Sequence, residues 1–442
     1  MSLFKRFALY GLYDERDIDI PFNTDTRIIV AENGYGKTTV LNALYSLVTG
    51  DISRLSKIDF KSMELEFADG EIFKIQKHDL EYTFNESGSD IANYLNTKLG
   101  ASAMGQLVQS YLSLGEAGMR RSHTFQRATT GAGLAPSHIA RIVRDIVEAK
   151  EASGSLFTAK ETLDNIKSKI PFDVLYLPTY RRVEQDLKNL SSDEENSDKA
   201  FLNQAINFGM GDVDARIKQI TKEILSSSVE WFSKVNGQML NQLVDGLKIE
   251  QHMLDSIQSP AAVKIVLDRV GNNISNSSKE RILELIKTKD ITTGHDHLVY
   301  FISSLVKVYE QQRENDTALQ QFCAVCNKYL GDKMLRYDES KVEVDIVRKK
   351  NLRDVKIETL SSGEKQIISL FSRLYLNKQD NLGIFFDEPE LSLSIEWQKT
   401  LLPDILSSGK CTFLFATTHS PFIFHNDLKS HTVDLSSFIK EL

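Results

Sequence analysis

The chain has 442 residues, enough by ordinary domain size for two or three domains. Its hydrophobic content of 41% and charged content of 26% are those of a globular protein, and no apolar run approaches the roughly 18–20 residues of a membrane span. The net charge of −8 disfavours bulk nucleic-acid binding without excluding a local basic stripe. Met1-Ser2-Leu3-Phe4-Lys5-Arg6 lacks an apolar signal-peptide region, and Cys323, Cys326 and Cys411 are too few and too clustered for a disulfide framework. The expected location is the cytoplasm.

The first 80 residues read as strands, one helix, then strands. Phe4–Leu9, Arg16–Ile20 and Arg27–Val30 are β-type runs, and Val40, Leu41, Leu44, Leu47 and Val48 give Thr38–Val48 helical spacing. Between Val30 and that helix lies Ala31-Glu32-Asn33-Gly34-Tyr35-Gly36-Lys37-Thr38, followed by Thr39. This is the phosphate-loop pattern G-x-x-x-x-G-K-[ST], with Ala31 where the first glycine stands. A strand enters it and a helix leaves it, as the chemistry requires. Backbone N–H groups and the helix N-terminus wrap phosphates, and Gly34 and Gly36 permit the tight path. Lys37 is placed to reach the terminal phosphates and Thr38 to bind Mg2+. Ala31 can serve only if its φ is negative. Met63, Leu65 and Phe67 then alternate with polar residues, and Ala68-Asp69-Gly70 turns the chain into Glu71–Ile75, a hairpin pattern.

From about residue 90 to 330 the periodicity is helical. Ile217, Ile220, Ile224, Phe232, Val235, Met239 and Leu243 form one apolar face; Leu298, Ile302, Leu305 and Tyr309 begin another. Ser191–Lys199 and Gly271–Ser278 read as polar loops, and Gly131-Ala132-Gly133 as a third, since no strand precedes it. Phe172–Leu177 is a β-rich run closed by Pro178. Cys323-x-x-Cys326 lies on a core stripe with Leu319, Phe322 and Leu330, which favours packing over metal, and His295-x-His297 has no further ligand cluster.

Strands return after residue 331. Lys333–Tyr337 and Val342–Arg348 read as a hairpin, and Leu382–Phe386 and Thr412–Ala416 as buried parallel strands. Leu360-Ser361-Ser362-Gly363-Glu364-Lys365-Gln366 precedes an amphipathic helix. Ser361-x-x-Glu364 is a capping box, and the same serine and glycine at a helix N-terminus can make an anion site. Leu382–Phe386 ends in Asp387-Glu388, the pattern of an acidic strand in which Asp387 holds Mg2+ and Glu388 acts as general base toward water. Thr412–Ala416 is followed by Thr417-Thr418-His419-Ser420-Pro421, which places His419 to touch a phosphate.

The order phosphate loop, Ser361 motif, acidic strand, histidine resembles the ABC-type ATPases, including the SMC, RecF and zinc-hook repair proteins. Leu360–Gln366 resembles their signature, and His419 their switch histidine. Asp387-Glu388-Pro389-Glu390-Leu391-Ser392-Leu393 with Thr418-His419-Ser420-Pro421 is closer to the ATPase part of OLD-family nucleases and their phage-defence relatives, such as the ATPase subunits of PARIS (AriA) and Septu (PtuA). Those proteins usually carry a histidine where this chain has Ser394. The resemblance implies an α/β fold. It is a split ABC-type ATPase head, a mixed sheet with flanking helices, interrupted by a large helical, partly coiled-coil insertion. The expected boundaries are 1–85, 86–330 (with 172–178 returning to the sheet) and 331–442. It implies ATP and Mg2+ held by Asn33, Gly34, Gly36, Lys37, Thr38, Thr39 and Asp387, with Glu388 and His419 catalytic. Ser361 and Gly363 of a second copy complete the site, and Arg181 or Gln185 senses nucleotide. It further implies slow hydrolysis as a switch and a homo-oligomer built from ATP-bridged dimers, compatible with a higher order such as a hexamer. The partner is a separate Toprim or HNH nuclease, expected because only 442 − 419 = 23 residues follow His419. A phage-encoded trigger is compatible with this picture, and DNA binding is left open. A RecF-like or zinc-hook-type ATPase acting on DNA is the alternative; a transporter ATPase fits poorly with so large a helical insertion.

Overall fold

Alternation and continuous apolarity in the strands set the two five-stranded sheets among the described residues. The computed structural model describes residues 2–32, 34–80, 99, 101–133, 135–153, 155–178, 210–245 and 249–442. Asn33, Arg181, Gln185 and Ser191–Lys199 lie outside the described residues. In chain order the structure begins with β1 (Phe4–Leu12), β2 (Arg16–Pro21), β3 (Thr26–Val30), α1 (Lys37–Thr49), α2 (Ile52–Leu55), β4 (Ser62–Phe67), β5 (Ile72–Gln76) and α3 (Lys77–Leu80). Helices α4 (Ala101–Arg121), α5 (His123–Ala132), α6 (Pro136–Ser153) and α7 (Ser155–Lys169) lead to β6 (Asp173–Leu177). Then come α8 (Met210–Asp245), α9 (Gln251–Ser256), α10 (Pro260–Arg269), α11 (Asn276–Thr288), α12 (Asp296–Cys326), β7 (Lys333–Asp338), β8 (Glu343–Arg348) and α13 (Ser362–Tyr375). The chain closes with β9 (Leu382–Asp387), α14 (Ile395–Leu406), β10 (Cys411–Thr418), β11 (Thr432–Asp434) and β12 (Ile439–Glu441). No described helix is long and apolar enough to cross a membrane.

The chain forms two compact units, one of Met1–Asn207 with Gln379–Leu442 and one of Phe208–Lys378. The first is an α/β head split between the chain ends. Its antiparallel sheet runs β12-β2-β1-β4-β5 and its parallel sheet β11-β3-β10-β9-β6. In β4 every second residue is buried, so Met63, Leu65 and Phe67 face the core. In β9 every residue is buried, as expected of a parallel strand covered on both faces. Phe4, Phe7, Leu41, Leu44, Phe385, Phe413 and Phe415 share one core with Leu163 and Ile166 of α7. Met104, Leu107, Phe125, Ile139 and Val143 give α4–α6 a small core of their own. Gly131 and Ala132 end α5 instead of forming a loop, because Gly133 caps that helix in the left-handed conformation at φ 64°.

The second unit is mostly helical. Ile257, Val263, Leu267, Ile286, Val299, Ile302 and Val306 form its core. Arg269 of α10 donates to Asp316 of α12 at 2.6 Å, and Tyr337 of β7 donates to the same carboxylate, so the β7–β8 hairpin is pinned to the helices. The expected boundary at 331 falls inside this unit, and the later part of the head begins at Gln379. The reason is the packing of α13: Phe371 meets Tyr329 with ring centroids 5.6 Å apart, and Arg216 of α8 donates to Ser372 at 3.1 Å. The expected loop at Gly271–Ser278 is also shorter. Ser275 accepts from the Ser278 N–H at 3.2 Å and starts α11 at Asn276.

Gly383 in β9 leaves room for the Phe172 ring, which stacks on Phe413 at 5.4 Å with 9° between the planes. A Cβ at Gly383 would lie 2.1 Å from Phe172 Cε2. Gly383→Ala is expected to destabilise the head by about 1–3 kcal/mol through overpacking, read as a lower Tm, with Phe172→Leu in the same chain recovering part of the loss. Cys323 and Cys326 are buried at 6% and 0% exposure, and burial raises both thiols, Cys323 to about 12 and Cys326 well above the usual range. Both should react with a thiol reagent at pH 8 only after denaturation; fast labelling of either in the native protein contradicts this packing.

Candidate functional site

The site grows from the register of three parallel strands. Val30 of β3 lies opposite Thr418 of β10, and Thr417 of β10 opposite Asp387 of β9. The carboxyl ends of all three strands therefore meet at one edge, where ligands of parallel α/β sheets bind. The loop after β3, the acids ending β9 and the histidine after β10 converge there, although Lys37 and Asp387 are 387 − 37 = 350 positions apart.

The loop has the backbone a phosphate cradle needs. Gly34 and Gly36 both have positive φ, at 90° and 83°. Gly36 is the N-cap of α1 and gives it no side-chain cap, which leaves the first N–H groups of a 13-residue helix for an acceptor. Ala31 keeps a negative φ, so the position tolerates a side chain. Its carbonyl accepts from Lys37 Nζ at 2.6 Å, and that of Glu32 accepts at 2.9 Å.

Lys37 is only 5% exposed. Burial pushes its ammonium below the ordinary lysine range, and Glu388, Glu390 and Asp387 pull it partly back. Its third contact is His419 Nδ1 at 3.1 Å, and His419 Nε2 lies 2.9 Å from Glu388 Oε1. An ammonium can only donate, so Nδ1 accepts, and the ring proton on Nε2 is donated to Glu388. One imidazole thus joins the loop cation to the acid.

Asp387 is 1% exposed. Thr417 Oγ1 donates to Oδ1 at 2.7 Å, and Thr38 Oγ1 reaches both carboxylate oxygens at 3.2 Å. One carboxylate and one hydroxyl are the hard oxygen donors that Mg2+ takes alongside phosphate oxygens and water. Among the described residues no cluster of three or more His, Cys, Asp or Glu side chains could hold a metal by itself. The Thr38–Asp387 donor pair fits an ion that arrives with a phosphate. Bound there, Mg2+ would neutralise phosphate charge. Glu388 adopts a left-handed φ of 49°, uncommon for a non-glycine residue, fixed by its N–H on Thr417 O at 2.9 Å. Its carboxylate is a quarter exposed on the side chain, open to water and partnered by His419.

Ser361 and Gly363 belong to the second unit and open α13. There the capping box forms: Ser361 Oγ accepts from the Glu364 N–H at 3.3 Å, and Glu364 Oε2 from the Ser361 N–H at 2.8 Å. Burial raises the Glu364 carboxyl, but Lys333 at 2.8 Å and the Ser361 N–H outweigh it and hold the carboxyl below its usual range. The Ser361 hydroxyl accepts in the cap, and the same side chain helps to hold the Glu364 carboxyl below its usual range.

Three contributors escape a motif reading. Thr417 is visible only as a hydroxyl beside the histidine motif, Glu390 only as part of the acidic turn, and Tyr13 not at all. Tyr13 is 48% exposed, has φ 55°, and shares a hydrogen bond with Thr39 Oγ1 at 3.3 Å. Ser394, which replaces the expected histidine, caps α14 by accepting from the Trp397 N–H at 3.4 Å.

A buried lysine in a glycine-bent loop, a threonine–aspartate pair and a glutamate–histidine pair at one sheet edge define a P-loop nucleoside-triphosphatase. A sequence-family model described as AAA ATPase domain matches residues 10–424, and the chain belongs to that family. No curated protein matches it. Similar solved structures include an Smc head domain with an extended coiled coil bound to the C-terminal domain of ScpA, from Pyrococcus furiosus. It is 12% identical with TM-score 0.34, covering 100% of this chain and 96% of that one. An SmcHead bound to the C-winged helix domain of ScpA is 13% identical with TM-score 0.34, covering 100% and 97%. An Smc head with a coiled coil and joint from Pyrococcus yayanosii is 11% identical with TM-score 0.30, covering 96% and 93%. Likeness this remote transfers no residue role to this chain.

Lys37→Ala should weaken ATP binding by about tenfold or more, the scale of a lost charge-assisted hydrogen bond. Titration of a fluorescent ATP analogue checks this, and unchanged affinity contradicts the assignment of the loop.

Proposed function

We propose that the protein binds ATP with Mg2+ and hydrolyses it slowly, as a switch that controls its association with other chains. The observation that carries this reading is the unbroken contact Lys37–His419–Glu388, which links a phosphate-binding cation to a water-activating acid. In this reading Lys37 and the α1 N-terminus hold the phosphates, and Thr38 and Asp387 hold the Mg2+. Glu388 accepts a proton from the attacking water, and His419 holds Glu388 in line and stabilises charge on the terminal phosphate. Asn33 and Thr39 complete the phosphate contacts. Ser361 and Gly363 act from a second copy, so that ATP closes a dimer and hydrolysis releases it. The capping box, with Glu364 neutralised by Lys333, supports such a role, because an unpaired buried acid beside Ser361 would repel an anion.

The output we assign is the holding or activation of a separate nuclease, of Toprim or HNH type, in antiviral defence. Support comes from the resemblance of Asp387–Leu393 and Thr418–Pro421 to OLD-related ATPases. Glu388→Gln should keep ATP bound and reduce turnover by roughly 100-fold or more, the usual range for losing a general base. The same variant should raise the dimer or higher-oligomer fraction in light scattering with ATP and Mg2+. If it turns over ATP normally, or remains monomeric with bound ATP, the switch reading is wrong. The defence reading expects a nuclease gene beside this one, and cells carrying both should lose phage protection on Lys37→Ala; equal protection by that variant counts against the defence role.

A further inference from the structure

Glu390 follows the acidic pair by two residues, and nothing in the mechanism above uses it. It is partly buried, and it receives three hydrogen bonds from one short segment. The His419 N–H donates to Oε1 at 2.7 Å and the Ser420 N–H to the same oxygen at 3.2 Å. Thr418 Oγ1 donates to Oε2 at 2.7 Å. A carboxylate has only acceptors, so its two oxygens can hold a hydroxyl and two N–H groups at once. The three donors are consecutive in sequence, and the middle one carries the imidazole that bridges Lys37 and Glu388. The grip is backed from behind: Gln398 of α14 donates to Leu393 O at 3.0 Å and accepts from Ser420 Oγ at 2.6 Å.

The acidic turn itself is held in an uncommon backbone. Glu388 and Ser392 both have left-handed φ, at 49° and 66°, on either side of Glu390. Residues 388–392 therefore present Glu388 to the imidazole and Glu390 to the backbone that carries it. The two acids hold one histidine, one by its ring and the other by its main chain.

We propose that Glu390 is a positioning residue for His419. It fixes the Thr418–Ser420 backbone so that the imidazole spans Lys37 and Glu388, and it couples the turn after the acids to the histidine. A shift of that turn then moves His419 without touching the nucleotide. This rests on the ATPase reading given above.

The test is ATP turnover across a double-mutant cycle. Glu390→Ala should lower kcat by roughly 10- to 100-fold, the scale expected when a reacting group is misplaced by about 1 Å, with KM for ATP within about threefold. Glu390→Gln should recover most of that loss, because its carbonyl oxygen can still accept from both N–H groups and the Thr418 hydroxyl can turn to accept from the amide. In a His419→Ala background, Glu390→Ala should cost less than about twofold more, since the residue acts through the ring that is gone. A full additional loss in that background, or a loss of kcat that Glu390→Gln does not relieve, overturns the positioning role while leaving the ATPase reading intact. A wild-type protein whose turnover does not depend on Lys37 overturns that reading, and this inference with it.

Discussion

The parallel register of β3, β10 and β9 is the constraint on which the rest of the site depends. Each strand alone ends in a short polar segment that makes no site by itself. Held side by side with their carboxyl ends level, they bring three separate segments to one edge. Thr417 of one strand then closes on Asp387 of the next, and Thr38 closes on the same carboxylate from the helix after the loop. A buried carboxylate is costly without hydrogen-bond partners, and the two hydroxyls satisfy Asp387 and aim it at the position where Mg2+ would sit.

Charge organises what the register assembles. Lys37 is desolvated and faces three acids, and two backbone carbonyls accept from it. A cation so placed is poised for a polyanion, which offers more charge than carbonyl dipoles do. His419 stands between that cation and Glu388, and a change at Lys37 is felt at Glu388 through one ring. A lysine–glutamate ion pair without the histidine would satisfy both charges and leave neither free for phosphate or water.

Much of this was legible in the sequence, because the loop, the acidic strand and the histidine are short local patterns. The strand before Ala31, the helix after Gly36 and the buried strands at 382–386 and 412–416 could be read from periodicity and glycine placement. Other features depend on tertiary contacts that no local window contains. The boundary at Gln379 instead of 331 follows from Phe371 packing on Tyr329 and Arg216 bonding Ser372. The meeting of Thr417 with Asp387 follows from strand register, and Tyr13 reaches Thr39 across a turn whose left-handed backbone carries no glycine at that residue. Ala31 departs from the glycine pattern harmlessly, because only Gly34 and Gly36 adopt positive φ among the described residues of the loop. Ser361 shows both sides of a motif at once, since the residue that caps α13 also stands at a helix N-terminus, where anions are favoured.

The central claim is that Lys37, His419 and Glu388, with Thr38 and Asp387, form one ATP site. The most direct test is a crystal structure with a non-hydrolysable ATP analogue and Mg2+. The account predicts Lys37 Nζ transferred from the carbonyls of Ala31 and Glu32 to the terminal phosphates, the ion beside Thr38 and Asp387, and Glu388 facing a water in line with the last phosphate. A nucleotide bound away from Gly34 and Gly36, or Lys37 still on those carbonyls beneath a bound triphosphate, would contradict it.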